Sequence, residues 1–273
     1  MITAITAIHS ATPQTPLVLR GEYPDMIRQA AQIGYQGIEL HLLDPQLIDQ
    51  EAIDRALEEN HISLCAIGTG PSYSQQGIYL THRDADIRAQ AVERMKSHIR
   101  LASRHGAVVI IGLIKGMMRD CGDPSHYHRT LQEGLEQCLA LAEEYKVTLA
   151  VEVIDRYETD FIYTIDEGLE LLDRFRSPRL TLHLDTFHMN LEETIIGDAI
   201  RRAKGHVGHV HLADSDRWYP GHAHYDFAET LTALKDIGYT GAISMECHAY
   251  PTPLEAARKA YEYTTNLCRQ LGI

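Results

Sequence analysis

The 273-residue sequence predicts a single (β/α)8 TIM barrel of the α/β class that spans residues 1–273. Three observations lead to this prediction. Short apolar, strand-like runs alternate with longer helical patterns, and this alternation occurs eight times along the chain. In addition, no low-complexity linker or short repeat divides the sequence. Barrels routinely exceed the size of an average domain, so the length fits one unit.

The predicted strands are short, mostly apolar and rich in β-branched residues, as expected of strands that a parallel sheet buries on both faces. In chain order they are Ile2–Ile8, Gly37–His41, Ser63–Ile67, Ala107–Ile111, Thr148–Val153, Leu180–Asp185, Val207–Leu212 and Ala242–Glu246. An open, doubly wound sheet is the main alternative fold. That fold often carries a glycine-rich phosphate loop after its first strand, and none follows Ile8.

Helix-length patterns separate these strands, and their ends carry the usual signals. Gly34, Gly106 and Gly238 each follow one of them, which is typical of glycine just beyond a helix. Asp166 and Asp226 lie near the start of two others. The predicted helices are Tyr23–Ile33, Pro45–Glu59, Asp84–His105, Ser125–Tyr145, Thr164–Phe175, Glu193–Ala203, Asp226–Ile237 and Leu254–Leu271.

The balance of charge argues against nucleic-acid and membrane partners. The formal net charge is −13 at pH 7, whereas both kinds of partner select clustered Lys and Arg. No stretch of the sequence approaches the roughly 18 consecutive apolar residues that a membrane span needs. A few cations inside a pocket could still bind an anionic substrate, so a charged small molecule remains compatible with the composition.

Two further features predict a cytoplasmic protein. The segment Met1–Ile5 lacks the basic region of a signal peptide and leads directly into a strand-like pattern. The five cysteines are odd in number and include no CxxC pair, which suits reduced thiols and disfavours a thiolate zinc site. We expect a homodimer or a homotetramer, two assemblies that the sequence does not distinguish.

Four ligand-type side chains lie one at the end of each of the last four predicted strands. They are Glu152, Asp185, His211 and Glu246. Consecutive strand ends of a closed barrel converge on its C-terminal face, where barrel enzymes carry their active sites. This oxygen and nitrogen ligand set suits Mn²⁺, Mg²⁺ or Co²⁺ better than structural zinc. One such acid alone is more often a helix cap or an ion-pair partner, but four buried ionisable groups together imply a cation.

Several segments resemble the D-tagatose/D-psicose 3-epimerase family, whose members are xylose-isomerase-like TIM barrels, and the similarity covers essentially the whole chain. The segments are Glu152–Glu158 (EVIDRYE), Leu184–Asn190 (LDTFHMN), His209–Arg217 (HVHLADSDR) and Ser244–Glu246 (SME). Two others are closer to a branch that acts on keto-sugar acids, of which the 5-keto-L-gluconate epimerase of inositol breakdown is an example. These are Cys65–Gly70 (CAIGTG) and Tyr157–Ile162 (YETDFI).

The resemblance implies a role for individual residues. The four strand-end residues would hold Mn²⁺, or else Co²⁺ or Mg²⁺. Two of them, Glu152 and Glu246, would also act as the acid and the base on either side of the substrate carbon. The implied substrate-binding residues are Glu158, His188 and Arg217. The chain would then be an isomerase, a metal-dependent 3-epimerase that inverts C3 of a ketose or keto-sugar acid through an enediolate.

Elementary chemistry agrees with these implied roles. Inverting a carbon beside a ketone needs a base on one face and an acid on the other, and a bound cation stabilises the enediolate oxygens between them. Further candidates for the pocket lie on loops at the same face. Candidate cations for a substrate carboxylate or phosphate are Lys115, Arg119 and Arg217, candidate wall residues are Trp218, Tyr219 and His224, and candidate glycines for close backbone approach are Gly68 and Gly70.

Four alternative functions share parts of this pattern. An aldose–ketose isomerase of the hydroxypyruvate or tetronate type would form the same enediolate and reprotonate another carbon. An inosose-type dehydratase would expel a hydroxyl group from it. An endonuclease of the same superfamily is disfavoured, because such enzymes have His-rich three-metal sites and basic faces. A non-catalytic sugar-binding module would keep the ligands without needing two opposed glutamates.

Overall fold

Parallel strands close into a barrel in the computed structural model, which describes residues 1–273. The strands are β1 (Ile2–Ile8), β2 (Leu19–Arg20), β3 (Gly37–His41), β4 (Ser63–Gly68), β5 (Val108–Ile111), β6 (Leu149–Glu152), β7 (Leu180–Asp185), β8 (Val207–Leu212) and β9 (Ala242–Met245). From β3 onward each strand pairs with the next, and β1 pairs with both β3 and β9 to close the ring. Strand β2 pairs with the last two residues of β1, beyond the point where β9 ends. The predicted (β/α)8 barrel is confirmed.

Helices cover the outside of the barrel and fill the loops at its C-terminal end. They are α1 (Tyr23–Ile33), α2 (Gln50–Glu59), α3 (Gly70–Gln76), α4 (Ala85–His105), α5 (Met118–Cys121), α6 (Pro124–Tyr145), α7 (Ile165–Phe175), α8 (Thr186–Glu192), α9 (Ile196–Arg202), α10 (Phe227–Asp236) and α11 (Pro253–Leu271). None of them combines the length and the hydrophobicity that crossing a bilayer requires.

The barrel strands are apolar because both of their sides are covered, inside by facing strands and outside by helices. Strands β3, β6 and β9 are buried along their whole length. Helix ends follow the sequence signals: Gly34 and Gly106 adopt the left-handed conformation at the ends of α1 and α4, and the Asp226 side chain caps α10. The cap of α7 is Thr164, which forms a capping box with Glu167, rather than Asp166.

The predicted helix Pro45–Glu59 is two separate elements, a 3-10 turn at Pro45–Leu47 followed by α2. Two aspartates explain the division. Asp44 accepts a hydrogen bond from Gln46 N, and Asp49 accepts one from Ala52 N. Because each side chain caps a new helical start, the backbone leaves the helix between them.

Short helices in the loops after strands were not predicted. They are α3, α5 and α8, together with a 3-10 turn at Leu113–Lys115. Each has at most seven residues, which is too short for a helical periodicity to be visible. These elements matter for function, because they lie at the end of the barrel where the candidate residues converge.

Candidate active site at the C-terminal end of the barrel

The four strand-end residues lie together at the mouth of the barrel. Glu152 ends β6, Asp185 ends β7, His211 lies next to the end of β8, and Glu246 directly follows β9. One potential ligand atom from each lies within 4.8 Å of those from the other three. All four residues are buried, and the most exposed of them, Glu152, is 9% exposed. The barrel therefore brings these side chains to one point, as the order of the strand ends predicts.

Two polar atoms of this cluster are buried and have no hydrogen-bond partner, Asp185 Oδ2 and His211 Nδ1. Each residue is held through its other polar atom. Asp185 Oδ1 caps α8 by accepting a hydrogen bond from Phe187 N at 2.8 Å, and His211 Nε2 lies 2.9 Å from Glu39 Oε2. Buried polar atoms are almost always satisfied. Two unpartnered ligand atoms beside two carboxylates therefore fit a divalent cation.

The two glutamates of the cluster have different affinities for a proton. Burial and the neighbouring charge of Glu246 raise the pKa of Glu152 to about 7. Burial opposes ionisation of Glu246 as well, but the His211 imidazole outweighs it and lowers the pKa of Glu246 to about 2. His211 Nδ1 lies 3.4 Å from Glu246 Oε2, and Arg217 Nη2 lies 3.9 Å from the same oxygen. The two glutamates therefore differ in proton affinity because their neighbours differ in charge.

The three residues that the family resemblance assigns to substrate binding surround the same space. Glu158, His188 and Arg217 all line the cavity above the cluster. His188 Nε2 lies 3.8 Å from both Glu152 Oε1 and Asp185 Oδ2. Arg217 donates a hydrogen bond to Glu158 Oε1, and its guanidinium group lies 4.6 Å from the centre of the Phe187 ring.

The loop after β8 holds Arg217 over the cluster through the buried carboxylate of Asp214. Asp214 Oδ1 accepts hydrogen bonds from Ser215 N at 2.8 Å and Tyr225 N at 3.0 Å. Its Oδ2 accepts one from Gly221 N at 2.9 Å. These bonds fix both ends of the loop, so Arg217 is placed by backbone contacts, with its N–H donating to Asp214 O at 2.8 Å.

Asp155 connects two of the predicted substrate-binding residues and was not singled out from the sequence. Its Oδ2 accepts a hydrogen bond from His188 Nδ1 at 2.6 Å. Its Oδ1 accepts from Tyr157 N at 2.8 Å and Glu158 N at 3.2 Å. Asp155 therefore fixes the His188 ring and the turn that carries Glu158. The signal that could have found it is an aspartate followed by a turn inside the matched motif.

Glu39 is a second ionisable residue of the site that the sequence analysis did not select. It lies inside the barrel with no solvent exposure, one layer below the cluster, and its carboxylate contacts His41, His209 and His211. The signal was present in the sequence. Glu39 and His41 are two residues apart on one strand, so both face the barrel interior.

Several loop residues predicted to face the ligand do not do so. Lys115 is 1% exposed, and its Nζ lies 3.3 Å from Gly112 O and 3.4 Å from Glu152 O. Burial lowers the pKa of Lys115 to about 8. The prediction that Lys115 meets a substrate carboxylate is wrong, because its side chain folds back onto backbone carbonyls beneath the site. The other predicted residues absent from the cavity wall are Arg119, Trp218, Tyr219 and His224.

Two glycines, Gly68 and Gly112, make room for side chains of the site. A Cβ atom on Gly68 would lie 2.4 Å from the His41 ring, and one on Gly112 would lie 2.4 Å from Glu152 Oε2. Gly68 and Gly70 both line the cavity, as expected. Gly112 was not predicted, because nothing in its sequence context shows that the Glu152 carboxylate lies against it.

The cavity above the cluster has a volume of about 400 Å³. Its lining includes neutral hydrogen-bonding side chains, namely Thr12, Gln14, Thr15, Ser74 and Gln75. Arg217 is the one lysine or arginine in the wall, and it is already paired with Glu158. Such a cavity suits a small, uncharged molecule with several hydroxyl groups.

Comparison with known proteins extends these observations. A family model described as the xylose isomerase-like TIM barrel matches residues 27–267. The chain is 34% identical over 222 residues to the L-ribulose 3-epimerase of Methylomonas sp. (strain DH-1), covering 81% of this chain and 76% of that protein. It is 32% identical over 231 residues to the D-psicose 3-epimerase of Agrobacterium fabrum, covering 81% and 77%. The crystal structure of a Methylomonas sp. D-allulose 3-epimerase in complex with D-allulose aligns with a TM-score of 0.80 at 25% identity, over 97% of this chain and 98% of that one.

Proposed function

The chain belongs to the xylose isomerase-like TIM barrel family, and on this premise we propose that it is an isomerase that inverts C3 of a free ketose. One observation carries the proposal: two buried glutamates, Glu152 and Glu246, meet at the base of a small cavity. Epimerisation needs such a pair, because a proton leaves one face of the carbon and another arrives on the opposite face. The relatives named as 3-epimerases support the same reaction.

The proposed cofactor is one divalent cation, Mn²⁺ in the first place, with Co²⁺ or Mg²⁺ as alternatives. Its ligands would be the four strand-end residues, and the two unpartnered atoms, Asp185 Oδ2 and His211 Nδ1, support this assignment. A bound cation would polarise the ketone and stabilise the negative charge of the enediolate. Oxygen-rich ligand sets of this kind suit these hard cations.

The glutamates would move the proton, and the surrounding residues would hold the sugar. In one direction the Glu246 carboxylate would remove the C3 proton. Glu152, which is ionised when it first binds the cation, would take up a proton from solvent and supply it from the other side. For the opposite epimer the two residues exchange roles. Strands β7 and β8 separate the strands that carry the two glutamates, which supports an approach of the two carboxyl groups to a bound carbon from different sides.

The substrate-binding residues would fix the hydroxyl groups on either side of C3. His188, oriented by Asp155, presents its Nε2 to the cavity. The Arg217 guanidinium and the Glu158 carboxylate, bonded to each other, offer donors and acceptors to a neighbouring hydroxyl. Because these side chains are already held in place by the protein, their hydrogen bonds to the hydroxyl groups lower the entropic cost of orienting the substrate.

The proposed substrate is a neutral ketose rather than a keto-sugar acid. A buried substrate carboxylate needs a free cation, and the lone guanidinium in the wall is committed to Glu158. The finer resemblance to the keto-acid branch favours a carboxylate, but two of the three cations expected to bind it, Lys115 and Arg119, lie outside the cavity. Three carboxyl groups that line the cavity, Glu152, Glu158 and Glu246, would also repel an anion.

Proton exchange in D₂O tests the reaction and the substrate together. We expect Mn²⁺-loaded protein to place deuterium at C3 of D-psicose, D-fructose, D-tagatose or L-ribulose and to invert that carbon. A matched keto-acid should have a kcat/KM at least about tenfold lower, because its carboxylate would lose water without gaining a free cation, at a cost of roughly 1–3 kcal/mol or more. NMR identifies the labelled carbon and the product.

Other outcomes of the same experiment would contradict the proposal. Deuterium at C1 or C2 with an aldose product would indicate an aldose–ketose isomerase, and loss of water would indicate a dehydratase. A bound sugar without exchange would indicate a binding module. A kcat/KM for 5-ketogluconate or tagaturonate equal to or above that of the neutral ketose would overturn the choice of substrate.

Cation binding should release protons in a pH-dependent way. Because the pKa of Glu152 is raised to about 7, this residue is protonated at pH 6 and must lose its proton to become a ligand. Burial lowers the pKa of His211, but the carboxylates of Glu39 and Glu246 outweigh it and raise that pKa well above its usual value, so His211 adds a second source of released protons. We therefore expect the number of protons released to fall by about one between pH 6 and pH 8.

Calorimetric titration of Mn²⁺ in buffers of different ionisation enthalpy measures this release. The control is Glu152→Gln, in which the number of protons released should not change between pH 6 and pH 8. A constant release in the unmodified protein over this range would show that Glu152 is already ionised at pH 6.

A further inference from the structure

Glu39 is held rigidly inside the barrel by three imidazole rings. Its Oε1 lies 2.7 Å from His41 Nε2, and its Oε2 lies 2.7 Å from His209 Nε2 and 2.9 Å from His211 Nε2. The residue has no solvent exposure and does not line the cavity. A buried carboxylate is costly unless donors surround it, and here the three rings supply those donors from three directions.

The contact with His211 determines which ring nitrogen can bind a cation. An ionised carboxylate accepts hydrogen bonds and cannot donate them. His211 Nε2 must therefore carry a hydrogen, and in the neutral ring Nδ1 then carries the lone pair. Nδ1 is the buried, unpartnered nitrogen that lies in the cluster with Asp185 and Glu246.

We propose that Glu39 is a positioning residue that holds His211 in the cation-binding tautomer and strengthens its Nδ1 as a ligand. A carboxylate that accepts from the far nitrogen of a ligating histidine orients the ring and increases its basicity. Glu39 also adds a negative charge just below the cluster, which favours a divalent cation. This inference rests on the proposed cation site and is independent of which sugar the protein converts.

The first test measures cation affinity in the Glu39→Gln variant. An amide keeps one oxygen and replaces the other by an NH₂ group, which cannot accept from an imidazole N–H. We expect the Kd for Mn²⁺, measured by competition with a chelating dye, to rise roughly 10- to 100-fold. The matched control is Glu193→Gln, which alters a half-buried carboxylate that accepts a hydrogen bond from Ile165 N at 2.7 Å and lies outside both the cluster and the cavity wall. Its Mn²⁺ affinity should stay within about twofold of the parent, since it contacts no ligand.

A second readout separates positioning from structural support. With Co²⁺ at full occupancy, the visible absorption of Glu39→Gln should differ from that of the parent protein, because the ring of His211 is no longer fixed. Glu39→Asp keeps the charge but withdraws it by about one C–C bond, 1.5 Å, and should lose less affinity than Glu39→Gln. If Glu39→Gln does not fold, Glu39→Asp alone must still bind Mn²⁺ more weakly than the parent.

Three results would overturn the inference. In the first, Glu39→Gln keeps the parental Mn²⁺ affinity and Co²⁺ absorption and only its melting temperature falls. Glu39 would then have a structural role alone. The second, where Glu39→Gln does not fold, is unchanged affinity in Glu39→Asp. The third is a parent protein that binds no divalent cation. A parent protein that binds Mn²⁺ tightly but exchanges no ketose proton would contradict the proposed reaction and leave the role of Glu39 intact.

Discussion

Glu152→Gln and Glu246→Gln should each lower kcat for C3 epimerisation by roughly 10²- to 10⁴-fold, the usual contribution of a positioned acid or base. An amide has the shape of the acid but does not transfer a proton. The two variants should also differ in a diagnostic way. In Glu152→Gln, the epimer whose C3 hydrogen faces Glu246 should still exchange that hydrogen with D₂O without inverting. Glu246→Gln should show the same partial exchange for the other epimer.

Loss of the cation is the main competing cause of inactivity in these variants. Both glutamates belong to the proposed ligand set, so Mn²⁺ occupancy has to be measured in the same samples used for kinetics. Glu255→Gln is a suitable control, because Glu255 is 47% exposed in its side chain and pairs with Lys259 on the outer helix α11. Near-parental turnover of either site variant at full occupancy would contradict the two-base scheme, and so would loss of exchange from both epimers in one variant.

The barrel and its four strand-end residues could be predicted because both depend on local patterns. Short apolar runs define strands, and in a closed parallel barrel the ends of successive strands must converge. Strand β7, for example, is visible as an apolar run, and Asp185 at its end needs no further information to be placed at the mouth of the barrel. The family resemblance is confirmed by the family match and by the curated relatives.

The contacts beneath the site could not be predicted, because they depend on side-chain direction and on pairs far apart in the chain. Glu39 and His209 are 170 residues apart, and only the barrel geometry shows that they meet. Lys115 lies on the expected loop, but nothing in the sequence indicates that its ammonium group turns inward. Gly112 and Asp155 are likewise defined by the neighbours they contact, Glu152 and His188.

The finer resemblance, to the keto-acid branch, stays a prediction, and the structure bears on it only through the cations near the cavity. This resemblance is carried by two short segments. If the substrate is a keto-acid, cations near the active site should be available to bind its carboxylate. Of these cations only Arg217 lines the cavity, and its guanidinium group is already paired with the Glu158 carboxylate. Substrate charge therefore depends on which cavity residues remain unpaired, a property that only the packed structure reveals.

Removal of the cation should abolish activity and lower the melting temperature of the protein. Three acidic residues, Glu152, Asp185 and Glu246, are buried within one cluster, and without a cation their mutual repulsion is only partly offset by His211 and Arg217. Mn²⁺ at 100 times its Kd should stabilise the fold by about 2.7 kcal/mol. For a chain of this size that corresponds to a shift of roughly 5–10 °C.

The two effects should respond differently to pH and to the identity of the ion. Dialysis against a chelator, verified by elemental analysis, should remove turnover, and Mn²⁺ or Co²⁺ should restore it. At a fixed Mn²⁺ concentration the thermal shift should be larger at pH 8 than at pH 6. At pH 6 Glu152 is protonated, and this proton competes with the cation for the carboxylate. In Glu246→Gln the thermal shift should shrink, since one ligand is weakened. Full turnover in a preparation shown to be free of metal would refute the cation, and the reaction would then have to proceed with the two glutamates and Arg217 alone.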